Sequence, residues 1–375
     1  MDERDWDRKR SSLMNSFESI PIIDCHTHVY DINVIGGLMD SMKTCNIDTL
    51  NILSIPAYGE DYMAQNIQCM LFKAMYPSKI YSYGGLHYPL QGTLKNKSDF
   101  LGQIKRLMQL GFDGIKMIEG KPNVRKRIDE PLDSPIYDDY FAYLEAEKIP
   151  LLYHVADPAG LWDKDKVPAY AIKEGWFYGD GTYVTKKILY EEVDGILKKF
   201  PRLNTIFAHF YFIPEEGIDR AGEFLDKWPG ISYDLTPGSK MYGDFSKNPD
   251  RWRDFFIKYQ DRILFGTDSG FSASTDLINT IRLFLETDNA YQSWGMNIRG
   301  ICLDKKVLEK IYFKNFIRYT GKEPKKINFE LAIDECSRVI EMAKSSPIKD
   351  KILPPMHQVM DKIQLLKNFF TQNNF

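Results

Sequence analysis

Eight short apolar runs, each ending in polar residues, recur along the chain and constrain its fold more than any other feature. They cover residues 21–28, 49–56, 80–87, 114–120, 150–157, 204–210, 231–237 and 263–269. Helical patterns lie between them, for example at residues 99–110, 138–148 and 189–200. Strands that alternate with helices indicate parallel βα units. Eight such units close into a (β/α)8 TIM barrel, which is the predicted fold.

A doubly wound open sheet is the alternative to this barrel. Such a sheet usually carries a glycine-rich phosphate turn after its first strand, whereas here that turn holds His26 and His28. Beyond residue 320, residues 327–344 and 353–372 have amphipathic patterns. We therefore predict a barrel domain at residues 1–320, which starts with a polar lead-in containing a short helix at residues 1–19. Residues 321–375 are predicted to form a helical extension packed on the barrel.

The charge and the apolar runs exclude several partners. The net charge is −3, from 49 Lys and Arg against 52 Asp and Glu, so we expect neither a nucleic acid nor an anionic membrane as partner. No apolar run approaches the ~20 residues of a membrane span. Eight of the first ten residues are charged and the segment contains no apolar signal-peptide core, which predicts a cytoplasmic protein. The five cysteines form no C-x-x-C pair, so no cysteine zinc site or redox motif is indicated.

Polar residues at the strand ends should meet at one mouth of the barrel, where active sites of this fold lie. All six histidines except His357 fall at such ends. The polar strand-end residues are His26, His28, His87, Lys116, Glu119, His154, His209, Asp234 and Asp268. Histidines with purely structural roles would be expected at scattered positions and not mainly at strand ends.

The first strand ends in the sequence D-C-H-T-H. Alternation along a strand directs His26 and His28 to the same side and Cys25 to the opposite side. Two imidazoles on one side of a strand end suit a divalent transition metal. Taken alone, however, two such histidines are also compatible with an ordinary surface strand.

Four strand-end motifs resemble the amidohydrolase superfamily. They are I-D-C-H-T-H at the first strand, H-V-A-D-P at the fifth, A-H-F at the sixth and F-G-T-D at the eighth. The resemblance is closest to the amidohydrolase-related branch of metal-dependent hydrolases and nonoxidative decarboxylases, and it covers about residues 20–320. It implies that His26, His28, His154 and Asp268 bind a metal. It also implies that His209 binds a second metal or polarises the substrate.

This ligand set suits one Zn²⁺, and a second metal is not excluded. Three neutral imidazoles and a carboxylate leave room for a reactive water, which zinc makes acidic near neutral pH. Asp268 can accept the proton of that water and later pass it to the leaving group.

Four further strand-end residues are candidates for substrate binding. Lys116 occupies the position at which relatives with two metals carry a carboxylated lysine, but its ammonium could equally bind a substrate carboxylate. Glu119 could reach a metal or face the substrate. His87 and Asp234 could each contact the substrate or serve a structural role. Arg125, Lys126 and Arg127 could hold an anionic substrate, although charge runs are usually solvated.

Two long segments follow the strands on the same face. Residues 157–188 are rich in aromatic side chains, and residues 236–256 form the second segment. Long loops on the functional face are typically lids or binding surfaces. Aromatic content of this kind could equally fill an interface in a homo-oligomer.

Three functions are compatible with these patterns. The first is a metal-dependent hydrolase that acts on an amide, lactone or ester bond of a small molecule, which could be anionic. The second is a nonoxidative decarboxylase on the same scaffold. The third is a binding protein that has lost its chemistry, and the complete predicted ligand set argues against it. Hydrolysis is the broader expectation within the superfamily.

Overall fold

The computed structural model describes residues 20–29, 35–59, 62–88, 99–238, 240–270, 275–344 and 356–372. Eight parallel strands in these residues form one sheet, in which each strand pairs with the next one along the chain. They are β1 Ile22–His28, β2 Ile47–Leu53, β3 Ile80–Gly84, β4 Gly114–Gly120, β5 Leu151–Val155, β6 Thr205–Phe207, β7 Ile231–Asp234 and β8 Ile263–Leu264. Each overlaps a predicted apolar run, so the predicted strands are confirmed. The helix predicted within residues 1–19 lies outside the described residues.

Backbone hydrogen bonds between β1 and the segment after β8 close the sheet into a barrel. His28 N–H donates to the Ser269 carbonyl at 2.8 Å, and Asp268 N–H donates to the His26 carbonyl at 2.7 Å. The fold is therefore the predicted (β/α)8 TIM barrel. The same bonds hold Asp268 directly beside the two histidines of β1.

Helices connect the strands and surround the barrel. The α-helices are α1 Ile35–Cys45, α2 Gln65–Met75, α3 Phe100–Leu110, α4 Pro122–Ile128, α5 Asp138–Ala146, α6 Ala169–Lys173, α7 Lys186–Lys199, α8 Ile218–Lys227, α9 Met241–Ser246, α10 Pro249–Lys258, α11 Thr275–Glu286, α12 Lys305–Glu309, α13 Asn315–Thr320, α14 Phe329–Lys344 and α15 Met356–Gln372. Short 3-10 helices cover Pro56–Tyr58, Pro135–Tyr137, Ala159–Trp162 and Pro214–Glu216. A tight turn with left-handed backbone lies within Ala208–Phe212, and a π-helical turn covers Lys310–Lys314. Strands β9 Ala290–Ser293 and β10 Met296–Arg299 form an antiparallel hairpin. Among the described helices, none combines the length and the apolar character needed to cross a membrane.

The segment after β7 is more helical than the sequence patterns indicate. Helices α9 and α10 occupy most of residues 236–256, which were expected to form a long loop. Pro249 is the first residue of α10, a position that suits proline because its missing N–H would have no helical partner. Trp252 and Phe256 of the same helix are buried in the outer core, which is the apolar cluster between the strands and the surrounding helices. This packing stabilises a helix that the short local pattern does not reveal.

Side chains alternate along the strands between the barrel interior and the surrounding helices. On β5, Leu152 lies in the interior cluster, whereas Leu151 and Tyr153 pack into the outer core. The interior cluster consists of Ile23, Cys25, Leu53, Tyr81, Tyr83, Leu152, Ile206, Ala208, Leu264 and Phe316. This close-packed apolar layer gives the polar side chains at the strand ends a rigid floor.

The C-terminal helices α14 and α15 pack against each other and against α2 and α3. Arg106 of α3 donates to Glu335 of α14 at 2.6 Å and to Asp334 at 2.9 Å. The segment before α14 is fixed by the Lys325 N–H, which donates to the buried carboxylate of Asp113 at 2.7 Å. The described residues thus contain the predicted C-terminal helices. The division into domains at residue 320 stays a prediction.

Candidate metal centre

Strand β1 carries two imidazoles into the barrel because the strand contains a bulge. Its pairing with β2 shifts between Asp24 and Thr27, where β1 has one residue more than its partner. Strict alternation would direct His26 and Cys25 to opposite sides. Both instead face the interior, since Cys25 lies in the interior cluster and His26 contacts Lys116. The predicted opposition is therefore wrong, and the bulge re-aims the histidine, as bulges beside functional sites often do.

Hydrogen bonds determine which ring nitrogen of His26 and His28 carries the proton. His28 Nδ1 lies 3.1 Å from the Leu53 carbonyl, which can only accept, so Nδ1 carries the hydrogen. His26 Nδ1 donates to Asp234 Oδ2 at 2.8 Å. Burial lowers the pKa of both imidazoles well below the usual value, so both rings are neutral. The Nε2 atom of each ring consequently presents a lone pair.

These two lone pairs converge with one carboxylate oxygen. His26 Nε2 and His28 Nε2 are 3.3 Å apart, and Asp268 Oδ1 lies 3.4 Å from each of them. No proton joins the two nitrogens, because each ring carries its proton on Nδ1. Electron-rich atoms at such distances repel one another unless a cation lies among them. Imidazole and carboxylate are ligands of divalent transition metals, so this group of three fits a metal ion.

Asp268 enters the mouth with a left-handed backbone, at φ 55°. This conformation is uncommon outside glycine and is concentrated at functional sites. The side chain keeps 36% of its surface exposed, so solvent and small molecules can reach it. Desolvation raises the pKa of Asp268 to about 7, while the Lys116 ammonium opposes the rise. The carboxyl can therefore take up or release a proton near neutral pH.

Lys116 places a positive charge beside the group of three. Its side chain is buried, and Nζ lies 3.2 Å from His26 Nε2. Burial lowers the pKa of Lys116 to about 8, although the Asp268 and Asp234 carboxylates oppose this shift. In its ammonium form, Lys116 donates to the nitrogen that a metal would use. The carboxylated bridge and the substrate-binding ammonium both stay predictions for this residue.

His209 begins a run of four residues with left-handed backbone. Residues 209–212 have φ values of 56°, 52°, 59° and 51°. Each non-glycine residue in this conformation costs about 1–2 kcal/mol, so the surrounding structure must hold the turn. The Tyr190 hydroxyl donates to the Tyr211 carbonyl at 2.7 Å and contributes to that support. The turn brings His209 Nε2 to 3.8 Å from Asp268 Oδ2.

His154 lies outside the group of three and faces Asp157. Its Nε2 is 3.3 Å from Asp157 Oδ1 but makes no hydrogen bond to the described residues. Asp157 Oδ2 accepts from Lys121 Nζ at 2.8 Å and from the Tyr178 hydroxyl at 2.7 Å. Burial lowers the pKa of His154 to about 4, so the ring is neutral and able to bind a metal. Its predicted role as a ligand stays a prediction.

Glu119 contacts different side chains from Lys116, although both were considered as substrate contacts. Its Oε1 accepts from the Tyr88 hydroxyl at 2.9 Å. Its Oε2 has no hydrogen-bond partner in the part of the chain that the structure describes. The pairing of β4 with β5 shifts between Met117 and Gly120, as that of β1 does with β2, so Glu119 lies at a local irregularity of the strand. Burial raises the pKa of Glu119 to about 7.

His87 is also placed away from the group of three. Its Nε2 lies 2.9 Å from the Met63 carbonyl, and its Nδ1 lies 3.4 Å from Arg338 of α14. The imidazole therefore connects the end of β3 to neighbouring elements, which corresponds to the structural alternative for this residue.

Asp234 lies behind the imidazoles and does not face open space. Its Oδ2 accepts from His26 Nδ1, and its Oδ1 accepts from the backbone N–H of His209 at 2.7 Å. The Thr236 hydroxyl and N–H also donate to Oδ1. Both oxygens of this predicted substrate contact thus have partners within the protein.

The basic residues after β4 have internal partners. Arg125 forms a buried two-point ion pair with Glu192, at 2.9 Å and 3.1 Å. The Lys126 ammonium lies 4.0 Å from the centre of the Tyr183 ring. These contacts hold α4 against α7 and the loop after β5.

A family comparison covers most of these elements. The amidohydrolase family model matches residues 84–318, which is more than half of the 375 residues. The matched span contains His154, His209 and Asp268. The chain belongs to the amidohydrolase family. The resemblance expected over residues 20–320 is thereby confirmed from residue 84 onward, whereas His26 and His28 precede the matched span.

Solved structures share the fold of this amidohydrolase. The 2,6-dihydroxybenzoate decarboxylase from Rhizobium is 14% identical, with a TM-score of 0.52 over 80% of this chain and 98% of that chain. The IDCase of Metarhizium anisopliae in apo form is 13% identical, with a TM-score of 0.50 over 81% and 98%. An uncharacterized TIM-barrel protein from Bordetella bronchiseptica is 15% identical, with a TM-score of 0.50 over 80% and 100%. At these identities the likeness concerns the fold alone. A comparison with curated proteins found no match.

Sequence reasoning missed two polar residues of this amidohydrolase that contact the candidate centre. Thr236 lies 3.1 Å from His209 Nδ1, and Asp157 faces His154. Both stand near the polar ends of predicted strands, in Y-D-L-T and H-V-A-D. Their position at the strand ends was the signal in the sequence that would have placed both residues at the mouth of the barrel.

Proposed function

We propose that this amidohydrolase is a metal-dependent hydrolase that cleaves an amide, lactone or ester bond in a small molecule. The observation that carries the proposal is the convergence of His26 Nε2, His28 Nε2 and Asp268 Oδ1 at distances of 3.3–3.4 Å. These residues would hold one divalent cation, most suitably Zn²⁺, with His154 as a further ligand. A cation bound there lowers the pKa of water and polarises a carbonyl group.

The proton transfers are assigned to residues of the chain. Asp268 accepts the proton of the attacking water, because its carboxylate adjoins the group of three and is open to solvent. His209 Nε2 lies 3.8 Å from Asp268 Oδ2. Burial lowers the pKa of His209 well below its usual value, so the free ring is neutral and, once protonated, gives up its proton readily. We assign His209 the task of passing that proton to the leaving group.

A nonoxidative decarboxylase is the second candidate function. The observation in its favour is the buried Lys116 ammonium beside His26, because a cation at that position can hold a substrate carboxylate. In this case the bond that breaks is carbon–carbon, and Asp268 would donate a proton to the carbon that loses CO₂. The Rhizobium decarboxylase shows that the shared fold can carry a reaction of this class.

Metal analysis tests the metal site that both candidate functions require. Protein purified without chelator should contain about one equivalent of a transition metal per chain. His26→Ala should lose that metal, because it removes one of the converging lone pairs. His87→Ala is the matched control, since it removes another buried imidazole that lies outside the group of three. Metal-free wild-type protein, or equal metal loss in the two variants, would contradict the proposal.

Product analysis separates the two reactions. A panel of lactones, esters and amides, together with aromatic carboxylic acids, should be incubated with metal-loaded protein in isotopically labelled water. Hydrolysis places labelled oxygen in the organic product and releases no CO₂. Release of CO₂ without labelled oxygen in the product would replace the hydrolase with the decarboxylase.

A further inference from the structure

We infer that Asp234 is a positioning residue that fixes the orientation and tautomer of two imidazoles, His26 directly and His209 through the Thr236 hydroxyl. The inference deepens the proposed function and rests on it only for what the two imidazoles do in the reaction. Their protonation pattern is a property of the metal-free chain, and it can be tested without a substrate.

The direct connection is the hydrogen bond from His26 Nδ1 to Asp234 Oδ2, 2.8 Å long and completely buried. A carboxylate accepts and does not donate, so it holds the ring with its proton on Nδ1. On the other side of the ring, Lys116 Nζ lies 3.2 Å from Nε2, and an ammonium can only donate. Both neighbours therefore require the same tautomer, in which Nε2 has a free electron pair.

The second connection runs through Thr236. Its hydroxyl has one hydrogen, which it donates to Asp234 Oδ1. The same hydroxyl oxygen lies 3.1 Å from His209 Nδ1, so it must accept from that nitrogen. His209 therefore carries its proton on Nδ1 as well. Its Nε2 presents a lone pair toward Asp268, 3.8 Å away.

Asp234 also supports the backbone that delivers His209. The His209 N–H donates to Asp234 Oδ1 at 2.7 Å and to Thr236 Oγ1 at 3.1 Å. These bonds lie at the start of the left-handed turn at residues 209–212. One carboxylate thus joins a ring in the group of three to the ring proposed to transfer the proton.

The substitution Asp234→Asn would break the direct connection selectively. Three donors meet Oδ1, namely the His209 N–H, the Thr236 N–H and the Thr236 hydroxyl. They would keep the asparagine oxygen at that position and leave its amide group facing His26 Nδ1. Two donors cannot share a hydrogen bond, so His26 would move its proton to Nε2. The lone pair available to a metal would then be lost.

Nitrogen NMR of the histidine rings in metal-free wild-type protein tests the inferred tautomers of His26 and His209. The six histidines can be assigned with single His→Ala variants. His26 and His209 should both be neutral and protonated on Nδ1, with His28 as an internal reference because it donates to the Leu53 carbonyl. Protonation of either His26 or His209 on Nε2 would overturn the inference, whatever the protein catalyses.

Metal affinity, measured by competition with a chelator, tests the consequence. Asp234→Asn should weaken binding by about 10- to 100-fold, as loss of a carboxylate behind a metal-binding histidine typically does. Thr236→Val should weaken the affinity less than Asp234→Asn and change the NMR signals of His209, and Thr236→Ser should restore those signals. Wild-type affinity in a folded Asp234→Asn variant would overturn the inference and leave the proposed function intact. If the expected tautomers are found in a protein that binds no metal, the proposed function is overturned and the inference stands.

Discussion

Lys116 Nζ lies 3.2 Å from His26 Nε2, the nitrogen that also faces His28 and Asp268. An ammonium and a metal ion cannot share one lone pair. Binding of a metal must therefore displace Lys116 or remove its proton, and burial favours proton loss because it lowers the pKa of Lys116 to about 8. A carboxylated Lys116 would support metal binding instead of competing with it, because it would itself contribute an oxygen ligand.

The variant Lys116→Met should therefore bind a single metal more tightly than wild-type protein. Methionine has a similar length and cannot donate to His26 Nε2, so the competition disappears. Chelator competition at neutral pH measures the difference. If the variant instead loses metal, and wild-type protein contains two equivalents per chain, Lys116 is a carboxylated bridge.

The variant Asp268→Asn should lower turnover of a confirmed substrate by about 100- to 10,000-fold, which is the usual contribution of general acid–base catalysis. Asparagine keeps the shape of the side chain and still offers an oxygen to a metal, but it cannot accept the proton of water. Metal content measured on the same samples separates loss of catalysis from loss of the cation. Near wild-type turnover would show that Asp268 is not the base.

The strands were predictable from sequence because each buries a short apolar run, and the polar ends of those runs marked the mouth. Two local features were not predictable. The bulge in β1 depends on how the strand pairs with β2, which no pattern within residues 22–28 reveals. The left-handed turn at residues 209–212 contains no glycine, so it is stabilised by contacts distant in the chain, such as those from Asp234 and Tyr190.

Glu119 lies at a third feature that the sequence does not reveal. It follows Lys116 by three positions in β4, and the pairing of β4 with β5 shifts between Met117 and Gly120, so alternation does not decide how the two side chains point. Its contact with Tyr88 thus depends on tertiary pairing, as the bulge in β1 does. Asp234 is different, because alternation places it inside the barrel but cannot distinguish a contact with substrate from a contact with His26.

The buried Glu119 should make stability depend on pH. An unfolded glutamate loses its proton near pH 4.5, whereas burial raises the folded-state pKa of Glu119 to about 7. Between these values the folded state binds more protons, so the free energy of unfolding falls as pH rises and levels off above pH 7. The total loss is about 3 kcal/mol.

Urea unfolding of Glu119→Gln at several pH values checks this dependence. The variant lacks the titrating group, so its stability relative to wild-type protein should increase from pH 4.5 to pH 7. Glu223→Gln, which neutralises an exposed carboxyl, controls for the loss of one negative charge. A constant difference between Glu119→Gln and wild-type protein across this range would show that Glu119 does not titrate as expected.

The buried ion pair between Lys73 and Asp113 should be important for folding. The two side chains are only 1% and 0% exposed, and Lys73 also donates to the Gly111 carbonyl at 2.7 Å. Lys73→Met removes the cation and leaves the Asp113 carboxylate buried without it. A buried pair broken in this way costs about 3–5 kcal/mol, and urea unfolding would measure the loss.

An exposed pair provides the matched comparison for this last prediction. Lys79 and Asp48 form an ion pair of 2.8 Å whose side chains are 45% and 53% exposed. Because solvent screens such a pair, Lys79→Met should change the free energy of unfolding by no more than about 1 kcal/mol. Lys73→Met should also lose less stability at low pH, where Asp113 becomes protonated and no longer needs the cation. Equal effects of the two substitutions at neutral pH would show that the Asp113 carboxylate does not depend on Lys73, and that the N–H groups of Ser82 and Lys325 are sufficient to stabilise it.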